Sequence, residues 1–212
     1  MFDPFADLTD AQRERIAAFE EQLRHFNRRF NLVSGDTVAD FMERHVRHCL
    51  ALAWKPFPPG SIVVDWGTGG GLPAVPLAIR FPGVTVHAVD AVGKKIQAVR
   101  AIGRRLGLEN LHPWHGRAEA WTRPVHYSVS RATAPLVDLW RWHVRVAAPL
   151  AAPEEAWPPG LICLKGGDLT GEIAALHRLD PSLHVEQYPL QTLLGRPVFA
   201  EKVLVAVRDG KG

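Results

Sequence analysis

The residues best placed for chemistry are Asp65-Trp66-Gly67-Thr68-Gly69-Gly70-Gly71-Leu72, which begin at the end of an apolar run. Glycines permit positive φ and let a ligand lie directly against the backbone. A turn of this kind at the carboxyl end of a parallel strand sits in the crevice where nucleotide-like ligands bind. The next apolar run ends in Ala88-Val89-Asp90. An acidic residue about 20 positions beyond the glycines can accept hydrogen bonds from both ribose hydroxyls.

Two ligand classes use such geometry. Read from Gly67, the dinucleotide pattern fails, because its third glycine position is Leu72; read from Gly69 it passes with Ala74 but begins late. Asp65 stands just before the glycines, where a carboxylate can hold the amino-acid portion of a sulfonium cofactor, directly or through water. A pyrophosphate would be repelled there. The residues therefore favour S-adenosylmethionine, against Asp65, Gly67, Gly69, Gly71, Leu72 and Asp90. A dinucleotide and a purely structural glycine turn are the alternatives.

Around these residues the periodicity alternates between strand and helix. Thr9 and Gln12 have capping-box spacing, and Ile16, Phe19, Leu23, Phe26 and Phe30 recur every three or four residues, which predicts a first helix. A second helix is expected over 37–54, with Val38, Phe41, His45, Cys49 and Leu52 on one stripe, ended by Lys55-Pro56-Phe57-Pro58-Pro59-Gly60. Strands are expected at 62–66, 84–89, 111–114, 127–130, 161–165, 184–188 and 202–208. Helices are expected from near Pro73, over 93–106, 136–148 and 169–179, with a Pro-rich loop at 151–160. No helix is evident between the last two strands, so an antiparallel hairpin is expected there. The pattern is α/β: about seven mostly parallel strands with helices on both faces. The expected organisation is a helical N-terminal extension over 1–58 packed on one domain over 59–212.

Composition sets the outer limits. Of 212 residues, 47% are hydrophobic and 22% charged, an ordinary globular balance. No apolar run approaches the roughly 20 residues of a membrane helix. Met1-Phe2-Asp3-Pro4-Phe5 shows no secretory pattern, so a cytoplasmic protein without membrane contact is expected. Cys49 and Cys163 each sit among apolar residues and read as buried free thiols; no Cys/His set has zinc spacing, and no metal is expected. A net charge of +3 is compatible with a polyanionic partner without requiring one.

Further segments extend the glycine loop into a more specific pattern: Asn31-Leu32, Arg44-His45, Leu72-Pro73, Asp90-Ala91-Val92-Gly93-Lys94-Lys95, Arg117-Ala118-Glu119, Ser130-Arg131-Ala132 and Leu164-Lys165-Gly166. With these, the chain resembles the bacterial 16S ribosomal RNA guanine-N7 methyltransferases, once called glucose-inhibited division protein B. The resemblance spans most of the chain and implies a Rossmann-like class I methyltransferase fold. It implies that Gly67 and Leu72 line the cofactor pocket, Asp90 meets the ribose, Ala118 and Glu119 hold the adenine edge, and Arg131 lies beside the cofactor. It implies 16S ribosomal RNA as partner, free or within the small ribosomal subunit, and the chain is expected to act as a monomer. The pattern departs at His48, where the family usually has a carboxylate, at Ala74, and at Ala200-Glu201-Lys202, where a basic Arg-His pair is usual.

Methylation of guanine N7 needs no general base, because that nitrogen carries an in-plane lone pair and no proton. A cation near O6 would orient the base, since O6 and N7 are both acceptors. Arg131 is the first candidate for that role and Lys165 the second. Their plainer readings are an ion pair with a cofactor-site carboxylate for Arg131 and a solvated strand end for Lys165. Glu119 can equally be a helix N-terminal charge, and His45 a hydrogen-bonded, half-buried histidine. Lys94 and Lys95, nearest the cofactor mouth, are the RNA-binding candidates, with further basic clusters at Arg24, Arg28, Arg29 and at Arg44, Arg47. A methyltransferase of another substrate and a silent cofactor- or RNA-binding module are the competing functions.

Overall fold

A computed structural model describes residues 1–30, 32, 40–131 and 133–210. Asn31, Ala132 and the expected start of the second helix at 37–39 lie outside the described residues.

The first helix, α1 (Asp10–Phe30), starts as its capping box predicts. The Thr9 N–H donates to Gln12 Oε1 at 3.0 Å, and the Gln12 N–H donates to Thr9 Oγ1 at 3.3 Å. Gln12 Nε2 also donates to the carbonyls of Ile79 and Arg80, at 3.0 and 3.1 Å, and so ties α1 to the core.

The second helical segment is not the uniform α-helix expected. Its described part is a π-helix over Met42–Arg47, one α turn (α2, His48–Leu50) and a 3₁₀ turn over Ala51–Trp54. Every residue over 45–52 is buried. From His45 onward no solvent face marks a 3.6-residue period, and six residues of π winding are too few to be told from α by pattern. Arg47 anchors it: Nη1 meets Asp3 and Nε meets Glu43, both at 2.8 Å.

Seven strands follow: β1 (Ile62–Trp66), β2 (Thr85–Asp90), β3 (Leu111–His115), β4 (Tyr127–Arg131), β5 (Gly160–Gly166), β6 (His184–Pro189) and β7 (Lys202–Arg208). They form one sheet in the order β3-β2-β1-β4-β5-β7-β6. The first five are parallel, and β7 runs antiparallel to both β5 and β6. Helices α3 (Ala74–Arg80), α4 (Gly93–Arg105), α5 (Leu136–Val144) and α6 (Thr170–Leu179) connect the strands. α5 stops short of 148 because Ala147 bridges Val125, and the Ala148 N–H donates to the Val125 carbonyl at 2.8 Å. Between β6 and β7, where no helix was expected, lie α7 (Leu190–Leu194) and a 3₁₀ turn, Pro197–Phe199. Elements this short carry no readable periodicity.

Strand alternation divides the core between the two faces. Val63, Val86, Ala88, Val129 and Ile162 share one cluster with Ile16, Phe19 and Leu23 of α1 and with α3 and α4. Val64, Trp66, Val89, Leu161 and Cys163 face Leu136, Leu139 and Trp140 of α5 and Leu176 of α6. The sheet is thus covered on both sides, as parallel strands require. The Pro-rich loop is closed by Trp157, fully buried, whose Nε1 donates to the Leu52 carbonyl at 2.8 Å while Tyr127 Oη donates to the Trp157 carbonyl at 2.7 Å. Cys49 and Cys163 are free and buried. Among the described residues no helix is long and apolar enough to cross a membrane.

The chain runs outward from β1 through β2 to β3, then returns to β4 on the other side of β1. A crevice opens at the carboxyl ends of strands where the order reverses in this way.

Candidate active site

At that switch point lies a cavity of about 840 Å³, within the range of small-ligand sites. Gly67, Thr68, Gly69, Gly70 and Leu72 form one wall. Gly67 has φ +72°, and a Cβ there would overlap the Thr133 side chain. No other residue type fits that position without moving the loop after β4. The loop is held by its own amides: Thr68 N–H donates to the Val89 carbonyl, and those of Gly71 and Leu72 to the Thr68 carbonyl, each at 2.9 Å. The Gly69 N–H donates to Asp90 Oδ2 at 2.9 Å, while Asp90 Oδ1 accepts from the Val92 N–H at 2.8 Å. Asp90 therefore pins the glycine loop to the start of α4.

Asp65 lies behind the loop, fully buried, and does not line the cavity. Its Oδ2 accepts from the Ala74 N–H at 3.1 Å, at the start of α3. Its Oδ1 has no hydrogen-bond partner among the described residues, and burial pushes its carboxyl up to about 7. Gly71 (φ +89°) is likewise outside the lining, where a Cβ would come within 2.6 Å of Val75. Both residues shape the loop from beneath.

On the side of β3, Ala118 and Glu119 line the cavity from a single 3₁₀ turn, Ala118–Ala120, with Ala118 buried and Glu119 exposed. Gly116, Arg117 and Trp142 of α5 border them. Lys95 reaches the rim; Lys94 is exposed and outside the lining.

The opposite wall is formed by Arg131 at the end of β4, by Arg44, His45 and His48 of the π and α2 turns, and by Val198, Phe199 and Lys202. Arg131 Nη1 donates to His45 Nδ1 at 2.8 Å. A guanidinium has no acceptor, so His45 offers a lone pair there and is neutral. Burial, with Arg131 and Arg44 nearby, holds its imidazole down to about 4. His48 is held down to about 3 by burial and by Arg131, Lys202 and His45. The structure does not bring Lys165 into the cavity. Its Nζ meets Glu172 Oε2 at 2.8 Å and donates to the Ala134 carbonyl at 2.9 Å, and Glu172 in turn accepts from the Leu136 N–H at 2.7 Å.

The cavity thus joins a glycine loop, an acidic strand end and a cationic strand end. A family profile described as rRNA small subunit methyltransferase G matches residues 12–193. The chain belongs to the rRNA small subunit methyltransferase G family. A ribosomal RNA small subunit methyltransferase G from Salinibacter ruber is 59% identical over 210 residues, covering 98% of each chain. One from Porphyromonas gingivalis is 35% identical, covering 92% of this chain and 90% of its own. Among solved structures, a SAM dependent methyltransferase from Aquifex aeolicus matches with a TM-score of 0.58 at 15% identity, over 89% of this chain and 97% of that one. The fibrillarin of Aeropyrum pernix, in complex with S-adenosyl-L-methionine, matches with a TM-score of 0.56 at 14% identity, over 76% and 73%. These two likenesses concern the fold, a Rossmann-like methyltransferase sheet.

Several cavity residues of this methyltransferase G family member escape a reading of the sequence. Thr133, Trp142 and Phe199 belong to no motif, and Phe199 sits in a turn too short to leave a pattern. Lys202 had one signal: it is the basic residue in the segment that departs from the family at Ala200-Glu201-Lys202.

Proposed function

We propose that this protein binds S-adenosylmethionine in the cavity and transfers the methyl group to N7 of a guanine in 16S ribosomal RNA. The observation that carries the reading is the shared cavity: the glycine loop and Asp90 on one side, and Arg131, oriented by a neutral His45, on the other. The backbone at Gly67, Gly69 and Leu72 would hold the cofactor, Asp90 its ribose, and Ala118 and Glu119 its adenine edge, with Asp65 and Gly71 supporting the loop from behind. Asp90 fits a ribose because each oxygen accepts only one backbone N–H and keeps lone pairs for the hydroxyls. A dinucleotide fits less well. The amides of Thr68, Gly69, Gly71 and Leu72 already donate within the protein and are not offered to a pyrophosphate.

When bound, the cofactor supplies an electrophilic methyl group on a sulfonium. The protein's task is then positioning, since N7 has no proton to lose. Alignment of two reactants can contribute on the order of 7–11 kcal/mol to the barrier. Arg131 lies beside the cofactor and orients the base through O6. Lys165 acts at one remove, holding the turn between β4 and α5 through the Ala134 carbonyl and Glu172. Lys95 on the rim, with Lys94 beside it, would meet the RNA backbone, and a single chain suffices for the whole site.

The test is to incubate the protein with labelled cofactor and 16S RNA, free and in small subunits, and to map the product by cleavage at methylated guanine. Label at one guanine is expected, and Arg131→Ala should lower the single-turnover rate by about 10²-fold with unfolding unchanged. Label entering only protein or small metabolites overturns the reading. An unchanged Arg131→Ala rate removes Arg131 from the site.

A further inference from the structure

His48 is 7% exposed and lines the cavity, and its buried Nε2 has no hydrogen-bond partner among the described residues. Buried polar side chains are nearly always partnered, and one that is not calls for an unseen partner. A neutral imidazole offers one donor and one acceptor. Its charged neighbours are Arg131 and Lys202, which line the cavity with it. Phe199 packs against it with ring centroids 5.5 Å apart. The Lys202 side chain, also lining the cavity, has no ion pair or hydrogen bond among the described residues. An imidazole backed by the buried Phe199 ring and an unpaired ammonium on the same wall match a nucleotide: base edge and phosphate.

We infer that His48 hydrogen-bonds the edge of the acceptor guanine beside Phe199, and that Lys202 meets the phosphate backbone flanking that nucleotide. The inference rests on the proposed RNA methyl transfer and names the residues that select its acceptor. His48 and Lys202 should separate experimentally, because one contact reads the base and the other only charge.

The experiment uses the full chain with small-subunit RNA, saturating cofactor and single-turnover conditions, alongside S-adenosylhomocysteine affinity by calorimetry. His48→Phe keeps a ring and removes the hydrogen bond; its rate should fall roughly tenfold with homocysteine-product affinity within about twofold of wild type. His48→Gln, which can still hydrogen-bond, should recover part of that rate. Lys202→Ala should raise the RNA concentration for half-saturation and reduce the salt dependence of RNA binding by about one unit of slope. Should His48→Phe fail to fold, His48→Leu takes its place under the same criteria. A His48 variant with the wild-type rate, or one that loses cofactor-product affinity in proportion to rate, overturns the His48 assignment. A Lys202→Ala salt slope equal to wild type overturns the Lys202 assignment. A wild-type protein that methylates no guanine overturns the proposed function itself, and this inference with it.

Discussion

Arg131 enters the cavity without a carboxylate partner among the described residues, held instead by the lone pair of a neutral histidine. An ion pair would fix the guanidinium equally well but would cancel its charge. The sequence pointed to Arg131 and His45 separately, through the end of a strand and a helical stripe; their contact joins residues 86 positions apart, which no local pattern encodes. Asp65 shows the opposite limit. Its type and place suggested a ligand contact, yet the strand alternation that buries Val63 turns Asp65 inward to cap α3. The Asp65 carboxyl is raised from 3.8 to about 7, so the folded state binds a proton that the unfolded state has released. Stability is therefore lost as pH rises through that window and is flat above it. Asp65→Asn removes this term: relative to wild type it should gain up to about 1.4 kcal/mol per pH unit across the window, read from urea unfolding at successive pH values. Parallel profiles for the two proteins would refute the shift. Asp65→Ala removes the same term and also strands the Ala74 N–H, so it should lie about 1–3 kcal/mol below Asp65→Asn at every pH.

At the scale of elements, the glycine loop and the turn after β4 interlock. Gly67 takes φ +72° and presents its bare Cα to Thr133. Gly67→Ala must relieve both a left-handed backbone and an overlap, so the loop will shift toward the cavity. The expected outcome is loss of cofactor affinity by at least about tenfold, with unfolding free energy lowered by about 1 kcal/mol or more. Gly107 is the control: it has φ +62° but open space around it, so Gly107→Ala should destabilise without weakening the cofactor. Elements with a long apolar rhythm were legible: all seven strands and α1, α4 and α6 lie within about a residue or two of expectation. What stayed hidden has a common cause. The π turn is only six residues long and runs into a fully buried stretch, α7 is too short for a period, and α5 is cut by a bridge between Val125 and Ala147 that only the tertiary fold creates.

At the scale of the molecule, burial of neutral histidines dominates the response to acid. His45, His87 and His143 are held down to about 4, and His48 to about 3, each first by burial. For these groups the unfolded state binds protons that the folded state refuses. Their contribution is complete above about 6.5 and is lost as pH falls toward 4. Asp65 opposes them with a single proton in the same window. Unfolding midpoints in urea should therefore fall steeply between those values. A flat profile would mean that the four imidazoles are wetter than their surroundings indicate.

The position of β7 between β5 and β6 has a consequence in time as well as in space. It is made after both of its neighbours, so while the chain is being synthesised β5 waits with one flank unpaired and β6 has no strand to join. The side with the glycine loop, Asp90 and Glu119, complete by Trp142, can assemble early, in keeping with amino-terminal-first folding during synthesis. The opposite wall cannot, because Phe199 and Lys202 arrive with the closing strand. A growing chain would in this order be able to hold its methyl donor well before it could admit a nucleotide to receive it.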